Sequence, residues 1–231
     1  MAVDDAYTKL LLHCDGLDNG TTFVDEAGST VPLYGNVCTK TGTKKFGTAS
    51  AYFDGNGDYI YYPAANANYA FGTGNFTVDM WINFVTTPQY ASIYECRSLD
   101  GADGFHFGCN AGGSNDKKLH IRTGKVNYVG ATVLDANTWY HVAVVGEGTT
   151  VKVYLNGVLE ITATISYNFT NSLLLIGTYN VGNNYFWHGY IDEIRVSKGI
   201  ARWTADFTPP TAAYAPAEPP SSEGICFAVF I

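Results

Sequence analysis

The chain has 231 residues, 46% of them hydrophobic and only 15% charged, a composition that excludes a disordered polypeptide and allows a sizeable buried core. The formal net charge is -8, and the 13 Lys and Arg are scattered, adjacent only at Lys44-Lys45 and Lys117-Lys118. That distribution argues against nucleic acid or an anionic membrane as a partner and is compatible with a sugar or another protein.

Short alternating or apolar runs follow one another along the chain, divided by Gly, Asn, Asp and Thr. LLLHC at 10–14 is the first, then ASAYF at 49–53 and YIYYP at 59–63 around the turn Asp54-Gly55-Asn56-Gly57-Asp58. That turn reads as Asx and glycine turn chemistry rather than as a calcium loop, because it lacks the D-x-D-x-D-G order. In FTVDMWINF, Phe76, Val78, Met80, Ile82 and Phe84 share one face of a strand. SIYECRS and GFHFGC flank Asp100-Gly101-Ala102-Asp103 as a hairpin, and VKVYL and VLEI flank Asn156-Gly157, a pair suited to a type I′ turn. SLLLIGTY and WHGYIDEIRVSKG close the series. The best helical candidate is one short segment, 64–70. About a dozen strands at short spacing predict an all-β sandwich or barrel rather than βαβ units.

A boundary is expected near residue 208. Residues 1–208 form the predicted sandwich, 209–224 read as a Pro/Ala/Ser-rich linker, and 225–231 (ICFAVFI) form an apolar segment. Such a segment needs covering, and Ile225, Phe227, Val229, Phe230 and Ile231 are expected to dock on another chain as an added strand. No signal peptide or membrane-length apolar run is expected. The five Cys have no zinc-type spacing and read as reduced, mostly buried thiols.

Recognition of a sugar needs an aromatic face with polar groups beside it. The loop 179–187 has that composition, with Asn183, Asn184, Tyr185 and Trp187 as candidates, and a second candidate region holds Tyr90, Asp100 and Asp103. The competing reading places Trp187 in the core at the start of the last strand. Each of the five His sits singly in a strand-like run and reads as a satisfied core or edge residue. Serine-nucleophile, Walker, Rossmann and H-E-x-x-H patterns are absent.

LLLHCDG, KFGTASAYFDGNGDYI, FTVDMWI, WYHVAVV, VKVYLNGVL, LLIGTY and GYIDEIRVSKG, in that order, resemble the laminin-G-like, concanavalin A-like lectin and glucanase superfamily over about residues 8–208. The ending ARWTADFTPPTAAY resembles copies of this domain in tailed-bacteriophage structural proteins. The resemblance implies a two-sheet antiparallel jelly roll with one concave face. It also implies a structural calcium ion between Asp15 and Asp192, a small ligand set for a hard cation. The E-x-D-x-x-E of glucanases is missing, and Asp192-Glu193 on a regular strand point to opposite faces, so no glycosidase of that type is expected.

The expectation is a non-enzymatic virion-surface decoration or adhesion protein. It would bind a cell-surface glycan, attach to other virion proteins or to copies of itself, and assemble in the host cytoplasm. The alternatives are a structural capsid or tail subunit without a ligand, a bacterial surface adhesin, and a polysaccharide-active enzyme. The enzyme would need clustered His, Tyr and Arg, or paired carboxylates, on the concave face.

Overall fold

The computed structural model describes residues 6–26, 30–62, 66–86, 90–98, 101–110, 117–179 and 185–215. Asp100, Asn183, Asn184, Ile225, Phe227, Val229, Phe230 and Ile231 lie outside these described residues. Among them the chain forms β1 (Thr8–Leu12), β2 (Leu33–Tyr34), β3 (Cys38–Lys40), β4 (Ser50–Asp54), β5 (Tyr59–Tyr62), β6 (Phe76–Phe84), β7 (Ser92–Glu95) and β8 (His106–Cys109). It continues with β9 (Leu119–Thr123), β10 (Val126–Val129), β11 (Tyr140–Glu147), β12 (Thr150–Leu155), β13 (Val158–Thr164), β14 (Leu174–Ile176) and β15 (His188–Lys198). The expected helical segment is one 3-10 turn, Ala67–Tyr69, capped by the Asn66 side chain.

The strands form two antiparallel sheets, as the all-β expectation requires. The eight-stranded sheet runs β13-β12-β11-β6-β15-β4-β3, with β1 also on β15, and the seven-stranded sheet runs β10-β9-β8-β7-β14-β5-β2. Strand β15 is long enough to hold β4 along its first half and β1 along its second. The predicted alternation in β6 is present. Phe76, Val78, Met80, Ile82 and Phe84 enter the core between the sheets, where they meet Ile93, Phe105, Phe107, Leu174 and Ile176. The Asn-Gly hairpin is also present, with φ of 49° at Asn156 and 80° at Gly157, the positive pair a type I′ turn requires.

Four register shifts interrupt the pairing of the described strands, and two of them decide which residues enter the core. A register shift between Asp192 and Arg195, with Glu193 at φ 51°, turns both Ile191 and Ile194 into the core. A shift between Ser92 and Tyr94 does the same for Ile93 and Tyr94, leaving Ser92 and Glu95 on the outer face.

The boundary expected near 208 is corrected by the structure. Residues 200–215 cross the outer face of the eight-stranded sheet as a strap. Trp203 and Phe207 stack at 4.0 Å and pack against His141, and Phe207 also meets Tyr154. The Arg202 amide donates to Thr77 Oγ1, and the Phe207 amide donates to Gly157 O in the hairpin turn. Tyr214, 5% exposed, closes the strap: its amide donates to Glu193 Oε2 at 2.8 Å and its hydroxyl to Asp79 Oδ2. The proline pair at 209–210 therefore lies inside the packed body, because an extended backbone with a buried tyrosine at its end covers a sheet face as well as a strand does. Cys14, Cys38, Cys96 and Cys109 form no disulfide among the described residues, and all but Cys38 are buried.

Candidate functional site on the seven-stranded sheet

Directly opposed residues of an antiparallel sheet share a face. Register places Tyr61, Leu175, Glu95, His106, Arg122 and Asn127 in one row across β5, β14, β7, β8, β9 and β10. Ser92, Gly108, His120 and Val129 form a parallel row beside it. Phe105, Phe107, Leu119 and Ile121 point the other way, into the core, so these rows lie on the outer face.

The rows are joined by polar contacts among buried side chains. His106 Nε2 lies 3.1 Å from Ser92 Oγ, and His106 Nδ1 lies 3.2 Å from His120 Nε2. Arg97 Nε donates to Glu95 Oε1 at 3.0 Å and its Nη1 donates to Gly124 O at 2.9 Å. Arg122 Nε donates to the same Gly124 carbonyl at 3.2 Å. Glu95 Oε2 and Arg97 Nη2 are buried without a hydrogen-bond partner among the described residues, a costly arrangement. Gly108 makes this density feasible, because a Cβ there would lie 2.2 Å from Ala91 O and 3.2 Å from His106 Cε1.

Burial, followed by the charges of His120, Arg97 and Arg122, pushes His106 well below the ordinary imidazole range, so its ring is neutral at physiological pH. Burial also pushes Glu95 well above the carboxylate range, against the opposing pull of Arg97. The site is thus the neutral imidazole of His106, a reluctant acid and two guanidiniums.

Half-buried aromatic rings rim this floor. Tyr179 meets His106 edge to face at 5.1 Å, and the Arg97 guanidinium lies 5.2 Å from the same ring. Tyr185 packs against Tyr179 at 5.5 Å and against Tyr90 at 5.1 Å. Tyr90 has φ 58°, a strained value for an aromatic residue, and its amide donates to Asn110 O. The Ser92 amide donates to Tyr185 O, tying the rim to β7. At the far end of the row Tyr34 and Tyr59 stack at 4.8 Å and 3°, with Tyr61 5.8 Å from Tyr34.

The two regions singled out in the sequence thus meet through Tyr90 and Tyr185. The other described candidates do not join them. Trp187 is fully buried, 6.2 Å from Phe84, with its amide bonded to Gly177 O, so it belongs to the core and offers no stacking face. Asp103 fixes its own hairpin, accepting from the Ser98 amide and hydroxyl and from Asn171 Nδ2. Tyr179 lies in the loop singled out in the sequence, whereas sequence reasoning missed Glu95, Arg97, His106, His120 and Arg122. The signal for His106, His120 and Arg122 was their alternation with core residues, which placed them on an outer face without saying which strands adjoin.

Asp15 and Asp192 do come together, on one turn, but as acceptors for it. Asp15 Oδ1 accepts from the amides of Thr48 and Ala49 and from Thr48 Oγ1. Asp192 Oδ2 accepts from the amides of Lys45 and Phe46, and its Oδ1 accepts from the Glu193 amide. Burial raises Asp192 to about 7 despite those bonds. Among the described residues no cluster of three or more His, Cys, Asp or Glu is arranged to hold a metal. This donor set does not fit a hard cation, which needs six to eight oxygens, because the carboxylates are already engaged with N–H groups. Asp58 is likewise a turn acceptor, for the amides of Asn36 and Asp54.

The fold is shared with solved proteins of known ligands. Domain 4 of AbnA, an extracellular GH43 arabinanase from Geobacillus stearothermophilus solved with arabinotriose, superposes with a TM-score of 0.64 at 18% identity, covering 86% of this chain and 95% of that one. The binding domain of botulinum neurotoxin DC in complex with SialylT gives 0.57 at 14% identity over 84% of this chain. A structure of botulinum neurotoxin type C, described as entering cells through two ganglioside molecules, gives 0.55 at 14%. This chain spans about half the length of the two toxin chains (49% and 48%). At these identities the likeness is one of fold alone. No curated protein sequence matches the chain. The family model of the concanavalin A-like lectin/glucanases superfamily matches residues 54–202, well over half of the chain, and the chain therefore belongs to that superfamily.

Proposed function

We propose that this protein is a non-enzymatic glycan-binding module whose recognition surface is the outer face of the seven-stranded sheet. The observation that carries the reading is the aromatic rim of Tyr90, Tyr179 and Tyr185 over buried polar groups with unused hydrogen-bonding capacity. Rings supply flat apolar contact, and the floor supplies directional bonds to hydroxyls. The saccharides named in the structures of similar fold support it as analogy. The biological setting we propose is a virion surface, supported by the resemblance of residues 201–214 to phage structural proteins, with ICFAVFI as the attachment segment.

A glycan array probed with the labelled protein tests the binding role, with Tyr90→Ala and Tyr185→Ala as controls. Binding that both variants weaken supports it. A folded protein silent across the array favours a structural subunit without a ligand. Comparing oligomeric mass with and without residues 225–231 tests the attachment role.

A second reading is favoured by one specific observation. His106, His120, Arg97, Arg122 and Tyr179 form the His, Tyr and Arg cluster that a polysaccharide-active enzyme would need. Release of shortened saccharides from acidic or neutral polysaccharides would favour it. Full burial of both histidines argues against turnover by them.

A further inference from the structure

The strap roofs only one end of the eight-stranded sheet. It packs on His141, Ala143, Val145 and Tyr154 and reaches Thr77 and Asp79. Toward the other end of the same strands, register sets Cys38, Tyr52, Tyr190 and Asn83 in one row across β3, β4, β15 and β6. Their chain neighbours Val37, Ala51, Phe53, Ile191, Ile82 and Phe84 enter the core, so the row faces outward. It holds a thiol, two phenols and a carboxamide, and no Asp, Glu, Lys or Arg.

Tyr52 and Tyr190 are half-buried, with ring centroids 5.0 Å apart and planes at 42°. The His188 ring lies 6.3 Å from that of Tyr52, with Nε2 3.5 Å from the Tyr52 hydroxyl and Nδ1 2.8 Å from Thr86 Oγ1. These contacts hold the Tyr52 ring in place before a ligand arrives, which lowers the ordering cost of binding. Asn83, opposite Tyr190, is 4% exposed, and its enclosed Oδ1 has no hydrogen-bond partner among the described residues. The solvent-facing end of that carboxamide is Nδ2. An unpaired carboxamide held among rings is costly unless something else binds it. Two residues earlier on the same face of β6, Trp81 lines a 540 Å³ cleft with Lys45, Trp139, Pro209 and Pro210 at the edge of the strap. The Lys45 ammonium lies 3.8 Å from the Trp81 ring centroid and takes that face. Trp139 is half-buried and has no ring contact among the described residues.

We propose that this face, from Tyr52 to the Trp139 cleft, is a second saccharide site, on the sheet opposite the Tyr90–Tyr179–Tyr185 rim, and that it takes a neutral sugar. The phenol and indole rings offer flat apolar surface to the C–H face of a pyranose. Asn83 Nδ2 donates to a sugar hydroxyl, and a row without formal charge gives an acidic sugar no counter-ion. The site does not depend on the reading of the seven-stranded sheet. With both occupied, one chain bridges two glycan strands.

Titration calorimetry of the full chain with lactose, maltotriose and cellotriose tests this. The expected result is binding of at least one of them, weakened about tenfold by Tyr190→Ala and by Asn83→Ala and unchanged by added salt. Loss of all binding in Tyr185→Ala, with Tyr190→Ala and Asn83→Ala unaffected, overturns the second site and leaves the seven-stranded sheet standing. The reverse pattern upholds the second site against that reading. Partial loss in each variant, with two saccharides bound per unaltered chain, upholds both. Binding of none of the three sugars overturns the second site. Should the variants fail to fold, maleimide labelling of Cys38 on the unaltered chain decides, because its thiol lies one strand spacing, about 5 Å, from Tyr52. A saccharide that slows the labelling upholds the site, and one that binds and leaves the rate unchanged overturns it.

Discussion

Arg195 on β15 and Asp79 on β6 are direct cross-strand partners joined by two parallel hydrogen bonds, Nε to Oδ1 at 2.9 Å and Nη2 to Oδ2 at 3.0 Å. The pair is buried beneath the strap, with the Tyr214 ring 4.0 Å from the guanidinium and the Tyr214 hydroxyl on Asp79. Burial by itself would raise the Asp79 carboxyl, but the charge of Arg195 and the contact with His141 outweigh it and hold Asp79 at about 2. A folded-state value below the ordinary 3.8 means that this stabilisation is present above 3.8 and is lost as pH falls toward 2. Asp79→Ala should cost about 3–5 kcal/mol at neutral pH, because it strands a buried guanidinium. Urea denaturation at several pH values checks both statements, and the variant should lose less stability than the parent between pH 4 and 2.

The strap predicts where the folded unit can be cut. A chain ending at Thr208, the boundary that composition suggests, lacks Tyr214 and exposes Asp79 and Glu193 beneath it. It should be less stable than a chain ending at Ala215 by about 3 kcal/mol or more, the usual cost of removing a buried aromatic side chain. Thermal unfolding of the two truncations measures the difference.

Trp187 and Tyr185 are two residues apart and should behave oppositely. Trp187→Ala should destabilise the protein by about 3–5 kcal/mol through a core cavity. Tyr185→Ala removes a half-buried rim ring and should change stability little while reducing saccharide affinity about tenfold. Calorimetric unfolding and binding titration on the same samples separate the two effects.

The turn at residues 45–49 is held by carboxylate-to-amide bonds from Asp15 and Asp192. A chelator should therefore leave the melting temperature unchanged, and added calcium should not raise it. Asp192→Asn keeps the size but replaces one acceptor oxygen by an NH2 group, and should lower stability by about 1–3 kcal/mol, the cost of leaving a buried N–H group unsatisfied. A calcium-dependent rise in melting temperature would contradict this account.

How much of this was legible beforehand depended on sequence distance. The alternation of Phe76 to Phe84 and the Asn156-Gly157 turn are local, and both stand as read. Strands β2 and β3 have two and three residues, too short to show a period. The bulge at Glu193 breaks the alternation that placed Asp192 and Glu193 on opposite faces, and both side chains are buried. The strap reads as a linker because proline and alanine dominate it, whereas its position is set by Tyr214 reaching Asp79 on a strand far earlier in the chain. The polar row of the seven-stranded sheet was hidden for the same reason. Tyr61 adjoins Glu95 only because β14 intervenes, and no local pattern reports that pairing order.

The strap also gives the molecule a back and a front. Trp203, Phe207 and Tyr214 roof the eight-stranded sheet, and the tyrosine rim stands on the opposite side of the sandwich. Ala215, where the described residues end, lies on the roofed side. An assembly that gripped the molecule at Ala215 would hold it by its back, with the tyrosine rim on the side away from the grip.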